Sequence, residues 1–144
     1  MEKEIPILCL IYIERFLMKT GLLMNHVNWK RLTLISLLLA SKIWDDDSLE
    51  NVHFPQVMPE LSLKEISGLE KVFLSLIDFD LIIRGAEYAK YYFILKTFAQ
   101  QFQSVLPMGP LSQEKMSQLQ NNTVKVESDL REKHNIKLSL KKTM

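Results

Sequence analysis

Between Asn28 and Trp44, Leu32, Ile35, Leu38, Leu39 and Ile43 recur at steps of three and four, and Leu34 and Leu37 fill the gaps between them. A helix with this pattern is apolar almost all round and is stable in water only when other elements surround it. It therefore belongs at the centre of a packed bundle, and its neighbours in the chain must supply the covering faces. The apolar run from Leu32 to Ile43 is interrupted by Thr33, Ser36, Ser41 and Lys42, and it is shorter than the ~18 to 20 apolar residues that cross a bilayer. It reads as a core helix, with Asn28 placed to cap its start.

The flanking segments have suitable faces. Ile5, Leu8, Ile11 or Tyr12, then Arg15 and Phe16 follow helical steps, with Ile7, Leu10, Ile13 and Leu17 widening the apolar side. This predicts a first helix from Glu4 to Lys19, ended near Gly21. Trp44 to Glu60 holds three successive aspartates, Asn51, Pro55 and Pro59, which predicts an exposed connection with room for one short helical turn. Ser62 with Glu65 three residues on is a capping box, so a third helix starts there. Its expected buried stripe is Ile66, Leu69, Phe73, Leu76 and Ile77, with Val72 and Leu74 on the flanks. After a turn at Arg84 and Gly85, a fourth helix from about Ala86 to Phe102 is expected to pack Tyr88, Tyr91, Tyr92, Leu95, Phe98, Ala99 and Phe102, closed by Pro107, Gly109 and Pro110. Met116, Leu119, Thr123, Val126 and Leu130 then mark a thinner, more solvated helix, and Lys141 and Lys142 a frayed basic end. The run Ile136, Leu138, Leu140 is too short to found a sheet. The expected fold class is all-α.

Length and composition narrow the function. The 144 residues suit one compact domain. Eighteen basic residues against seventeen acidic ones leave no positive surplus to draw the chain onto nucleic acid or anionic lipid. Cys9 is the single cysteine, so an internal disulfide is impossible and an intracellular setting, cytoplasmic or nuclear, is expected. The acidic start Glu2, Lys3, Glu4 lacks the form of a signal peptide, and Glu2 stands where N-myristoylation needs Gly. No membrane anchor is expected in this chain.

Catalytic chemistry has no local support. His26, His53 and His134 lie far apart, and Gly21, Gly68, Gly85 and Gly109 are isolated, which argues against a zinc hydrolase motif and a Gly-rich phosphate loop. Cys9 lies in an apolar helix with no nearby cation to make it a nucleophile. Asp45, Asp46 and Asp47 could hold a divalent metal for phosphoryl chemistry, but a calcium loop wants Gly sixth and Glu twelfth, where Glu50 and Gln56 stand. No catalytic residue, no metal and no cofactor are expected, and the chain is not read as an enzyme.

Three segments in series carry a resemblance. Tyr12 to Leu17, Leu37 to Lys42, and Leu69 to Leu74 followed by Phe79-Asp80-Leu81 resemble the second, third and fourth helices of a cyclin box. Asn28 to Arg31, Lys42 to Asp46 and Tyr88 to Phe93 are similar to the cyclin Y group. The match runs from Ile5 to about Leu119 and implies a single cyclin box lacking its first helix over residues 1–105, with a solvated helix and tail over 106–144. That missing helix implies an uncovered apolar face on Leu8, Ile11 and the central helix.

The same resemblance implies a regulatory subunit that binds and activates a cyclin-dependent protein kinase, of the PFTAIRE or PCTAIRE type. Lys42 and Glu70 would grip main-chain groups around the kinase's C helix, and Leu39, Leu74, Phe79 and Leu81, with Ile43 at the edge, would receive an aliphatic side chain from it. Taken without the resemblance, Lys42 is a snorkelling lysine, Glu70 a solvated helical glutamate and the others plain core. The alternative function is a helical interaction protein that keeps the fold without kinase activation.

Overall fold

A computed structural model describes residues 3–45, 50–102 and 111–143, excepting the side chains of 52 and 136–143. Every regular element among them is helical: α1 (Ile5–Thr20), α2 (Trp29–Trp44), a 3-10 turn (Asn51–Gln56), α3 (Leu63–Leu76), α4 (Gly85–Gln101) and α5 (Gln113–Thr143). The protein is an all-α bundle, as the periodicities predict.

α2 is the hub, packed by α1, α3 and α5. Leu38, Leu39, Ala40 and Ile43 are fully buried along it. α1 tolerates Pro6 because the first turn has no use for that N–H, and it ends at Gly21, whose left-handed φ of 69° suits a residue without Cβ. Asn28 stands just before α2 but does not cap it with its side chain. Its Oδ1 instead accepts from the Asn25 N–H at 2.9 Å, tightening the α1–α2 loop on itself. The connection after α2 forms its one helical turn and buries Phe54 and Leu61 against the core.

The capping box at α3 forms as read: Ser62 Oγ accepts from the Glu65 N–H at 3.3 Å, and Glu65 Oε2 accepts from the Ser62 N–H at 2.8 Å. The Ser62 hydroxyl, donating to Glu65 Oε2 at 2.7 Å, and then the Ser62 N–H hold the Glu65 carboxyl below the ordinary carboxylate range. The buried face of α3 is rotated from the expected stripe, since Glu70 and Leu74 are buried with Ile66 and Phe73 whereas Leu76 is exposed. Leu76 was expected inside because it continues the three-four spacing; the helix ends there, and the stripe passes to Ile77.

Three further expectations are corrected. α4 buries only Tyr88 and Tyr92, while Phe98 and Phe102 are exposed, because α1 is its chief neighbour and covers one narrow face. Leu8, Ile11 and α2 are not left uncovered: Leu8 and Ile11 are fully buried, and α5 lies on α2. Lys115 Nζ pairs with Glu4 Oε1 at 2.7 Å, and Met116 packs on Gly85, where an added Cβ would come within 3.0 Å of its sulfur. Leu119 and Thr123 are then buried and Val126 and Leu130 partly so. The backbone of α5 stays helical through Lys141 and Lys142, which were expected to fray. Pro107, Gly109 and Pro110 lie outside the described residues.

Candidate functional site

Lys42 is in the last turn of α2 and Glu70 in the middle of α3, and the packing of these two helices brings their side chains together. Lys42 Nζ donates to Glu70 Oε1, and Glu70 Oε2 accepts from Asn51 Nδ2 at 3.1 Å. The same nitrogen lies 3.3 Å from Ser67 Oγ. The Glu70 side chain is 9 % exposed and that of Lys42 19 %. A carboxylate this buried is tolerable because both oxygens have donors and one donor is a cation. An ammonium has three protons, so Lys42 keeps capacity for carbonyls beyond Glu70.

The apolar members of the predicted site flank that pair. Leu39 is three residues before Lys42 and Leu74 four after Glu70, which puts each on its partner's helix face. Leu39, Ile43, Leu74 and Leu81 are all buried in the core, and Phe79 alone is half-exposed. α3 ends in a Schellman turn: the Asp78 N–H bonds the Ser75 carbonyl at 3.2 Å and the Phe79 N–H the Leu74 carbonyl at 2.9 Å. Asp78 and Phe79 both have φ of 55°, left-handed backbone that Asp accommodates and Phe does so rarely.

α1 holds that turn in place. Arg15 donates to the carbonyls of Asp80 at 2.8 Å and Ile82 at 2.7 Å, and to Glu87 Oε2 at 2.7 Å. Lys19 Nζ donates to the Ile77 carbonyl at 2.9 Å, and the buried Tyr12 hydroxyl to the Leu81 carbonyl at 2.8 Å. Asn51, Arg15 and Lys19 are therefore part of the site's frame although sequence reasoning gave them no site role. The position of Arg15 between Glu14 and Phe16 in the first cyclin-like segment was the available signal; Asn51 had none, since a turn-forming Asn in a connection is unremarkable. On the outer side, Arg131 Cζ of α5 lies 4.7 Å from the Phe79 ring centroid, and the His134 ring makes a T-shaped contact with Phe79, centroids 5.8 Å apart.

The arrangement suits recognition better than catalysis. Burial pushes the Cys9 thiol up to about 11, and its S–H points at the Thr33 carbonyl 3.7 Å away, so it is a poor nucleophile. No group of three or more His, Cys, Asp or Glu among the described residues is placed to hold a metal. Asp45 accepts from Ser41 Oγ at 3.2 Å, and Asp46 and Asp47 lie outside the described residues. No described helix is long and apolar enough to cross a membrane.

The Cyclin family model matches residues 1–81, more than half of the chain. This protein belongs to the cyclin family. The matched region of this cyclin contains all seven residues of the predicted site, from Leu39 to Leu81, while α4 and α5 lie beyond it. No solved structure matches the chain. Cyclins are regulatory proteins that act on cyclin-dependent kinases, and that general role attaches to this one.

Proposed function

We propose that this cyclin belongs to the cyclin Y-like group and activates a PFTAIRE- or PCTAIRE-type kinase by gripping its C helix with Lys42 and Glu70, within the cytoplasm or nucleus. The observation that carries the reading is the convergence of these two charges, 28 residues apart in sequence, at the rim of the α2–α3 packing. Lys42 offers donors to the carbonyl end of a helix and the Glu70 carboxylate accepts from N–H groups, so together they fit a main-chain clamp. Residues 1–105 would form the cyclin box, and 106–144 the segment that carries α5. Holding the kinase helix inward completes the kinase's own Lys to Glu ion pair, so the cyclin shifts a population and does no chemistry.

Replacing both Lys42→Ala and Glu70→Ala should weaken kinase association by ~2 to 5 kcal/mol while the circular dichroism spectrum keeps its helical signal. Equal capture of kinase by wild type and double variant would refute the clamp. Running PFTAIRE, PCTAIRE and cell-cycle kinases side by side tests the proposed partner class. A second reading, an interaction protein without kinase activation, is favoured by one fact: Leu39, Ile43, Leu74 and Leu81 are already buried and offer no open notch. Kinase activity of the purified complex separates the two.

A further inference from the structure

We infer that the C-terminal half of α5 caps the kinase-binding site of its own chain, so that kinase binding requires this half to lift off Phe79. The inference rests on the clamp proposed above and adds its regulation. Phe79 is the one apolar member of the site that the core leaves partly open, and what covers it is Arg131 over the ring face at 4.7 Å and His134 in a T-shaped contact with centroids 5.8 Å apart. A partner helix seated against Phe79 and the α2–α3 rim would need the surface these two side chains occupy, so the two occupants exclude each other.

α5 is built unevenly in a way that suits release at one end. Its first half is fastened by the Lys115 to Glu4 ion pair, the Met116 contact with Gly85, and the buried Leu119 and Thr123. Past Thr123 the apolar contacts thin to partly buried Val126 and Leu130, and Arg131 has half its side chain in solvent. Segments with few buried apolar contacts open at low cost while the remainder stays folded. Phe79 cannot follow α5 outward, because its N–H is tied to the Leu74 carbonyl and the turn it sits in is bolted to α1 through Arg15 and Lys19. Lifting α5 therefore uncovers a fixed aromatic face beside the α3 end of the clamp. Arg131 is steadied in its stacked position by Glu127, whose Oε1 accepts from Arg131 Nε at 3.0 Å.

The test titrates the 144-residue chain with a purified PFTAIRE-type kinase, comparing wild type, Arg131→Ala with His134→Ala, and Lys42→Ala with Glu70→Ala. If α5 competes, the α5 variant binds about three- to tenfold more tightly, since removing the stacked contact raises the fraction of open chains. Hydrogen exchange on the wild-type complex should then show amides of 126–135 exchanging faster than in free chain and those of α2 and α3 slower. Unchanged or weaker binding by the α5 variant, with the clamp variant still defective, overturns the capping alone. Wild-type binding by the clamp variant overturns the clamp and the capping with it. Should the α5 variant lose its helical signal, the exchange measurement on wild type decides, and slower exchange at 126–135 in the complex would mean that α5 joins the interface instead of leaving it.

Discussion

Arg15 shows how a single side chain can set a site it does not line. With 14 % of its side chain exposed, it spends two guanidinium nitrogens on main-chain carbonyls of the 78–84 turn and one of them also on Glu87. A planar fork of donors matches such a spread of acceptors better than an ammonium does. Arg15→Ala should therefore destabilise the chain by ~2 to 3 kcal/mol, seen as a lower urea midpoint, and Arg15→Lys should recover only part of it. An effect below ~0.5 kcal/mol would mean that the turn holds its shape without α1. Lys42 and Glu70 were legible only through the resemblance, since the residues alone read as a snorkelling lysine and a solvated helical glutamate. Asn51 was not, because its value comes from a carboxylate 19 residues away that only tertiary packing delivers.

Among the elements, local signals were read correctly with the exception of Asn28, which stands before α2 without capping it. The Ser62 and Glu65 capping box and the helix stop at Gly21 depend on a few adjacent residues, and both form. Faces were harder. In α3 and α4 the sequence offers more apolar residues than one neighbour can cover, so periodicity cannot say that Leu74 goes inside and Leu76 and Phe98 stay out. The opposite holds for α5, whose sparse stripe was visible but whose destination, the central helix, was not. Leu119→Ala tests that destination. A leucine buried against the core costs ~2 to 4 kcal/mol when truncated, whereas on a solvated helix the same change costs less than ~0.5 kcal/mol. A thermal melt that moves by less than a degree would place α5 off the bundle.

At the scale of the whole molecule, the face implied to be bare by the missing first helix is covered from the other end of the chain, which brings α5 to the site's edge. The bundle this closes keeps four weakly acidic groups neutral, with Cys9, Tyr12 and Tyr88 buried and Tyr91 partly so. Burial raises the Cys9 thiol from 9.0 to about 11, and burial also raises the Tyr12, Tyr88 and Tyr91 hydroxyls, with the Glu14 carboxylate beside Tyr91 and the Glu4 charge near Tyr88 adding to it. Each is an acid whose folded value lies above its unfolded one, so the folded chain holds protons that the unfolded chain releases. Their contribution is complete below about pH 9 and is lost as pH climbs through the thiol's unfolded 9.0 toward its folded value of about 11, with the tyrosines following from 10.0 upward. The urea midpoint should accordingly decline between pH 9 and 11, and Cys9→Ala should delay the onset because only the tyrosines then respond. A midpoint that holds level or rises up to pH 11 would mean that the Cys9 thiol and the Tyr12 hydroxyl reach water in the folded state, against their burial between α1 and its neighbours.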